Sequence, residues 1–257
     1  MSFYFKKSLG QHFLINEAIQ KQIVSIKKIT NKFVIEIGPG KGALTKLILA
    51  NSPKKLIVIE KDGSLTSYLN KFKNKYSKNF TLINSDVLNI NFEKFNHNKI
   101  LIIANLPYNI ATTLIIKMIK NFHYIENMIL MVQKEVADRL AAEVSSSSYG
   151  RISILLQLYA YVKKEFEVSA DNFYPQPKVN STVIQIKPKK NVNLIYEKID
   201  KILRVSFQQR RKTIKNNLKT LNKKPEKEII KCGVNPSSRP QDIKPDDYIK
   251  LANLLIQ

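Results

Sequence analysis

The feature that most constrains this chain is a cluster of three glycines directly after a short apolar run. The run covers residues 33–37 (FVIEI), and Gly38, Gly40 and Gly42 are three of only seven glycines among 257 residues. This pattern predicts a strand, a tight loop and a helix over residues 43–50, with backbone amides that a ligand can approach closely. Because the segment also fits G-x-G-x-x-A, a dinucleotide cofactor and a purely structural turn both remain open.

Apolar runs of strand length alternate with helical patterns over the first two thirds of the chain. The strand-like runs are residues 56–60, 81–84, 100–104, 128–132, 162–168 and 182–186, and the helical patterns cover about 61–72, 111–120 and 134–143. Alternation of this kind predicts an α/β fold with a parallel sheet and helices on both faces. In such sheets ligands bind beyond the carboxyl ends of the strands.

The pattern changes near residue 188. From residue 194 onward the periodicity is helical only, and four prolines, at 225, 236, 240 and 245, separate short helices. We therefore predict two domains. A sheet domain covers residues 1–188, and a small all-helical domain covers residues 189–257.

Composition narrows the function classes. The chain carries 43 Lys and Arg against 20 Asp and Glu, a formal charge of +23, which favours a nucleic acid partner. A membrane surface is the competing partner, but the sequence contains no run of 18 apolar residues. The amino terminus lacks the apolar region of a secretory signal. Cys232 is the one cysteine and the three histidines have no metal-ligand spacing, so neither a disulfide scaffold nor a bound metal is expected. These features predict a cytoplasmic protein with no membrane association.

Two acidic residues end predicted strands. Glu60 lies 22 residues after Gly38, where a carboxylate can accept hydrogen bonds from ribose hydroxyls. Asp86 follows the next strand, where it can either meet an adenine amino group or cap a turn. Both positions therefore suit a nucleotide-like cofactor without deciding which one.

The segment Asn105-Leu106-Pro107-Tyr108, which ends the fourth strand, is more specific. An exocyclic adenine amine is a poor nucleophile because its lone pair is delocalised into the ring. The side-chain carbonyl of Asn105 and the backbone carbonyl of Leu106 can accept its two N–H bonds and favour a pyramidal nitrogen. Pro107 fixes the local backbone, and Tyr108 offers a stacking face to a flipped base.

Six segments in order resemble the S-adenosylmethionine-dependent small-subunit rRNA adenine dimethyltransferases. They are residues 7–14, 34–40, 60–62, 105–108, 173–181 and 207–213, and the resemblance extends from Lys7 to about Leu218. It implies a Rossmann-like methyltransferase fold with a seven-stranded sheet and S-adenosylmethionine as cofactor. It also implies N6,N6-dimethylation of two adjacent adenosines near the 3′ end of 16S rRNA, within a pre-assembled small ribosomal subunit, by a monomer.

The resemblance assigns roles to matching positions. Ten of them would bind the cofactor: Gln11, His12, Leu14, Gly38, Gly40, Glu60, Lys61, Asp86, Val87 and Asn105. Asn105, Leu106, Tyr108 and Phe173 would form the catalytic site, with the extruded adenine between the rings of Tyr108 and Phe173. Phe173 could instead be an ordinary core ring. His12 is not expected to act as a general base, because a sulfonium leaving group needs little proton assistance.

A basic stretch lies in the predicted helical domain. Residues 201–224 contain nine Lys or Arg and no Asp or Glu, whereas solvated helices usually mix charges of both signs. The spacing of Arg204, Arg211, Lys215 and Lys219 approximates one helical face that could follow an RNA backbone. The predicted RNA-binding residues are Arg204, Arg210, Arg211, Lys212, Lys215 and Lys219.

Three alternatives deserve comparison. An antibiotic-resistance methyltransferase acting on large-subunit rRNA shares the main motifs. Gly10 before Gln11, Pro39, Leu106 and the segment 210–213 (RRKT) argue against it. Relatives that serve as mitochondrial transcription factors share the fold, but a first motif beginning at residue 7 leaves little room for a targeting peptide. A nicotinamide-dependent oxidoreductase explains neither the segment that begins at Asn105 nor the basic stretch.

Overall fold

The computed structural model describes residues 11–95, 99–190, 192 and 195–256, so residues 7–10 of the first motif lie outside the described residues. Within these ranges the chain forms nine strands and ten α-helices. The strands are β1 (Phe13–Leu14), β2 (Phe33–Ile37), β3 (Lys55–Glu60), β4 (Phe80–Asn84), β5 (Ile100–Asn105), β6 (Ile125–Gln133), β7 (Ala160–Val168), β8 (Phe173–Tyr174) and β9 (Ser181–Pro188). The helices are α1 (Glu17–Ser25), α2 (Ala43–Ala50), α3 (Thr66–Lys75), α4 (Ala111–Ile119), α5 (Lys134–Leu140), α6 (Arg151–Tyr159), α7 (Tyr196–Ser206), α8 (Ile214–Leu218), α9 (Glu226–Lys231) and α10 (Pro245–Leu255).

Seven strands form one sheet in the order β4-β3-β2-β5-β6-β9-β7, which confirms the predicted α/β fold. Strands β2 to β6 of this sheet pair in parallel, and β9 is antiparallel to β6. The order of the strands reverses between β2 and β5, where open α/β sheets bind their ligands. Ile37 pairs with both Ile59 and Ala104, so the residues after these three strands meet at one edge.

The central strands are apolar because both of their faces are covered. Val58 in β3, Ile102 in β5 and Met128 in β6 have no exposed surface. Burial on both sides explains why these strands appear in the sequence as continuous apolar runs rather than alternating ones. The same property made them the easiest elements to predict.

The chain divides into two compact units. The first contains Met1–Ala137 and Lys163–Pro188, and the second contains Asp138–Val162 and Lys189–Gln257. The boundary between Pro188 and Lys189 falls where the sequence pattern changes. Helix α6 nevertheless belongs to the helical unit, where it packs against α7 and α10, and a division at residue 188 alone does not capture this.

The basic stretch at residues 201–224 is not one helix. Helix α7 ends at Ser206 and α8 begins at Ile214, with turns between them. The predicted single helical face of basic residues is therefore wrong, because its members stand on two helices and a turn. Within the described ranges, no helix is both long and apolar enough to span a bilayer.

Candidate active site

The first unit contains a cavity of about 290 Å³ at the carboxyl ends of β2, β3, β4 and β5. Its lining includes all ten residues predicted to bind the cofactor: Gln11, His12, Leu14, Gly38, Gly40, Glu60, Lys61, Asp86, Val87 and Asn105. Leu106 and Tyr108 from the predicted catalytic set also line it. The sheet thus brings together residues that lie up to 97 positions apart in the sequence.

The glycine loop is shaped so that the amino-terminal strand can pack on it. Gly40 has a φ of +60°, which side chains rarely permit, and a Cβ added there would lie 2.5 Å from the ring of Phe13. At Gly38 the φ is +65°, but the nearest atoms to an added Cβ are 3.6 Å away. Phe13, which also lines the cavity, was not singled out from the sequence. Its contact with Gly40 is between segments that are distant in sequence, so only the folded chain reveals it.

Glu60 is held as a hydrogen-bond acceptor at the end of β3. Its Oε1 accepts from the backbone N–H of Asp62 at 2.8 Å, and its Oε2 accepts from that of Gly40 at 3.2 Å. Burial raises the pKa of Glu60 above its usual range, while these two N–H donors oppose the rise. A carboxylate has about four acceptor positions, so Glu60 can still accept hydrogen bonds from ligand hydroxyls.

Glu36 is a second carboxyl group in the cavity wall, and the sequence interpretation gave it no role. It is 1% exposed and accepts a hydrogen bond from Thr45 Oγ1 at 2.6 Å. Burial raises the pKa of Glu36 to about 8, the hydrogen bond from Thr45 opposes this, and the charge of Glu60 adds to it. The sequence does mark this position, because Glu36 is the one polar residue in the otherwise apolar strand FVIEI.

Asp86 caps a turn, one of the two roles considered for it, and its contact with an adenine amine stays a prediction. Its Oδ1 accepts from the N–H of Leu88 at 2.8 Å and so caps a short 3-10 helix, while Oδ2 pairs with Lys61 Nζ at 2.9 Å. The hydrogen bond from Lys61 holds the pKa of Asp86 below its usual range. The carboxylate is therefore ionised at neutral pH and lies in the cavity wall.

Asn105 fastens the amino-terminal segment over the cavity. Its Nδ2 donates to the backbone oxygen of His12 at 3.0 Å, and Gln11 Nε2 donates to Asp62 at 2.8 Å. His12 Nδ1 also lies 2.7 Å from the carbonyl oxygen of Pro175. The bond to His12 fixes the orientation of the Asn105 amide, and Oδ1, its acceptor atom, can accept an N–H from a ligand.

Tyr108 is held with its ring at a fixed angle. Its centroid lies 5.4 Å from that of His12 with 26° between the planes, and its hydroxyl is 2.8 Å from Ser181 Oγ. Burial raises the pKa of Tyr108, so the phenol is neutral. The ring stacked beside it in this structure is thus His12.

Phe173 does not reach the cavity. It pairs with Leu14 across β1 and β8, is 3% exposed, and packs with Leu14 and Val168 in the core. Alternation along the strand turns its neighbour Tyr174 outward, with 60% of that residue exposed. The structure therefore places Phe173 in the core rather than in the cavity wall, and its stacking on an adenine stays a prediction.

The second unit separates the six predicted RNA-binding residues into two groups. Arg204 pairs with Asp200 at 2.7 Å, and Arg210 donates to the carbonyl oxygens of Ser147 and Tyr149 at 3.1 and 2.7 Å. Asp200 is partly buried, but hydrogen bonds from Arg151 and Arg204 outweigh burial and lower its pKa. The second group contains the other four: Arg211, Lys212 and Lys219 are exposed, as Arg204 and Arg210 also are, and Lys215 is half-buried.

Fold and cavity together define a class, the Rossmann-like methyltransferases. Comparison with known proteins goes further, since the model of the ribosomal RNA adenine dimethylase family matches residues 2–257. The chain belongs to this family. Across the described residues, no cluster of three or more His, Cys, Asp or Glu side chains suited to a metal is found.

Individual relatives match over nearly the whole length. Ribosomal RNA small subunit methyltransferase A of Pelagibacter ubique is 41% identical over 251 residues, covering 96% of this chain and 95% of the relative. The protein of the same name from Malacoplasma penetrans is 41% identical, covering 97% and 91%. A dimethyladenosine transferase from Plasmodium falciparum superposes with a TM-score of 0.79 at 28% identity, covering 93% and 95%. The 23S rRNA methyltransferase ErmE shares the fold, with a TM-score of 0.73 at 20% identity and coverage of 95% and 100%.

Members of this family use S-adenosylmethionine, and the cavity fits it. The backbone at Gly38 is open to close approach, Glu60 can accept hydroxyl donors, and Asp86 can accept from an amine. The bound cofactor would supply an electrophilic methyl group on a sulfonium centre. These acceptors thus suit the hydroxyls and the amine of a nucleoside.

Proposed function

We propose that the protein dimethylates the N6 amines of two adjacent adenosines near the 3′ end of small-subunit rRNA, using S-adenosylmethionine. The observation that carries the proposal is Asn105, whose amide is fixed by His12 so that its Oδ1 can accept a hydrogen bond in the cavity. The relatives named as small-subunit enzymes, at about 40% identity over the whole chain, favour this target over the large subunit. The fold alone does not separate the two, because ErmE shares it.

In this proposal Asn105 and Leu106 activate the amine by position. Asn105 Oδ1 and the carbonyl oxygen of Leu106 accept its two N–H bonds, so that the nitrogen lone pair turns toward the methyl group. Tyr108 stacks on the extruded base and holds it in line with the sulfur–methyl bond. No general base is required, because the proton can leave after methyl transfer.

The remaining cavity residues hold the cofactor. Glu60 accepts from the ribose hydroxyls, and Asp86 accepts from the adenine amine while Lys61 keeps it ionised. Gln11 and His12 belong to the segment that covers the cavity and excludes water from it. We further propose that the enzyme acts as a monomer.

The substrate would be rRNA within a pre-assembled small subunit in the bacterial cytoplasm. Arg211, Lys212, Lys215 and Lys219 of the second unit are the residues proposed to contact its phosphates. Arg204 and Arg210 are engaged with protein acceptors but are also exposed, so we keep them in the proposed RNA-binding set.

The proposal is tested by incubating the protein with labelled S-adenosylmethionine and small subunits that lack the methylation, then mapping modified nucleotides by mass spectrometry. We expect N6,N6-dimethyladenosine at two adjacent positions near the 3′ end. Purified large subunits serve as the matched control and should remain unlabelled. Dimethyladenosine in large-subunit rRNA, or no modification of either subunit, would overturn the proposal.

A further inference from the structure

A buried amide organises the turn between α7 and α8. The side chain of Asn217 is 5% exposed and bonds four backbone groups of this turn. Its Oδ1 accepts from the N–H of Gln209 at 3.2 Å, and its Nδ2 reaches the carbonyl oxygens of Gln209, Thr213 and Lys212 at 3.1, 3.3 and 3.4 Å. One uncharged side chain thereby determines the path of the backbone from residue 209 to residue 213.

This backbone path puts basic residues at the corner of a turn. The N–H of Lys212 donates to the carbonyl oxygen of Gln209 at 3.0 Å, so Arg210 and Arg211 are the two central residues of a β-turn. Arg210 points to the carbonyl oxygens of Ser147 and Tyr149, which fastens the turn within its unit. Arg211 and Lys212 are exposed on the same turn.

We propose that Asn217 is a positioning residue that presents Arg211 and Lys212 as a preorganised phosphate-binding pair for the rRNA backbone. This inference rests on the proposed function. Asn217 is buried and uncharged, so it acts only through the turn that it holds. A backbone already fixed in the binding conformation lowers the entropy lost when two long side chains are ordered on a phosphate.

The variant Asn217→Ala tests this because it leaves the net charge at +23. Binding of the full-length protein to small subunits lacking the methylation should weaken about 10-fold near 0.15 M salt. The plot of log affinity against log salt should become shallower by about 1 to 2, the change for losing one or two phosphate contacts. The affinity for S-adenosylmethionine should stay within twofold of the wild type.

The double variant Arg211→Ala/Lys212→Ala removes the same contacts directly. If Asn217 works through these two residues, adding Asn217→Ala to the double variant should cause no further loss of affinity. Additive losses would overturn the inference. If Asn217→Ala fails to fold, Asn217→Ser carries the same comparison, because its shorter hydroxyl cannot replace all four bonds.

Ile229→Ala is the control for general damage to the second unit. Ile229 is fully buried in α9, and its truncation should lower the melting temperature without changing the salt dependence of binding. If Ile229→Ala lost as much affinity for small subunits as Asn217→Ala, the inference would be overturned. The inference would also be overturned if Asn217→Ala bound normally while Arg211→Ala/Lys212→Ala bound weakly. That outcome would leave the proposed function intact. If neither variant changes binding, the proposed rRNA surface fails as well.

Discussion

Two buried carboxyl groups in the cavity wall differ in how their charge is stabilised. Glu60 receives two backbone N–H donors, whereas Glu36 receives one hydroxyl from Thr45. Burial raises the pKa of both, to about 8 for Glu36, so Glu36 is mainly protonated at neutral pH. Glu60 could be predicted because its distance from Gly38 follows a known pattern. The role of Glu36 depends on packing, which one sequence does not display.

Asn105→Ala should lower the rate of methyl transfer about 100-fold or more. The variant loses the oxygen that accepts from the amine, and losing one preorganised polar contact in an active site has effects of this size. Single-turnover kinetics at saturating S-adenosylmethionine measure the rate of the chemical step. Asn84→Ala is the control, since this amide also ends a strand but donates to the carbonyl oxygen of Glu60. An unchanged transfer rate in Asn105→Ala would contradict the assignment.

Glu36→Gln should flatten the pH dependence of stability between about pH 4.5 and 8. The folded protein retains a proton on Glu36 that the unfolded chain releases, so the wild type loses stability as pH rises through this window. Urea unfolding gives the free energy of unfolding at pH 5 and at pH 8. The decrease between these two pH values should be roughly 2 to 4 kcal/mol larger in the wild type than in the variant. Equal losses would show that Glu36 ionises in the folded protein as it does in the unfolded chain.

At the level of elements, predictability follows the range of the interactions that form each element. Strand β2 and helix α2 were predicted at their observed bounds, because an apolar run and a glycine loop are local signals. The β1–β8 ribbon was not, since each strand has two residues and pairs with a partner about 160 positions away. The break between α7 and α8 also escaped prediction. Asn217, which fixes it, looks in the sequence like any other polar helical residue.

Gly40→Ala should weaken binding of S-adenosylmethionine about 10-fold or more. Its Cβ would lie 2.5 Å from the ring of Phe13, so β1 must shift away from the cavity that it covers. Gly38→Ala is the matched comparison, because it has a similar positive φ but ordinary contact distances of 3.6 Å or more. Isothermal titration of both variants measures the difference.

Replacing Phe13 by Leu in the Gly40→Ala background should recover part of the lost affinity. The smaller side chain makes room for the new methyl group while keeping an apolar contact with the loop. If Gly38→Ala and Gly40→Ala lose affinity equally, backbone strain rather than the contact with Phe13 accounts for the effect.

At the level of the whole molecule, the charge of +23 is less informative than its distribution. The acid-free window at 201–224 begins one residue after Asp200, which pairs with Arg204 and Arg151. Counting charges along the sequence could not show this pairing, nor the use of Arg210 as a backbone donor. The cavity lies in the first unit and the basic turn in the second. Cofactor binding and RNA binding should therefore be separable by substitution.

Reversing charge at Arg211 and Lys215 should weaken binding to small subunits about 10-fold or more without changing the affinity for S-adenosylmethionine. The control pair Lys227→Glu/Lys231→Glu makes the same change, from +23 to +19, at exposed positions of α9. Because both pairs alter the overall field equally, a larger loss in the first pair measures contacts made by the turn and by α8. Filter binding across a range of salt concentrations gives the affinity of each double variant and the slope of its log affinity against log salt concentration. Equal losses in the two pairs would mean that only net charge matters, and joint loss of cofactor binding would indicate a misfolded chain.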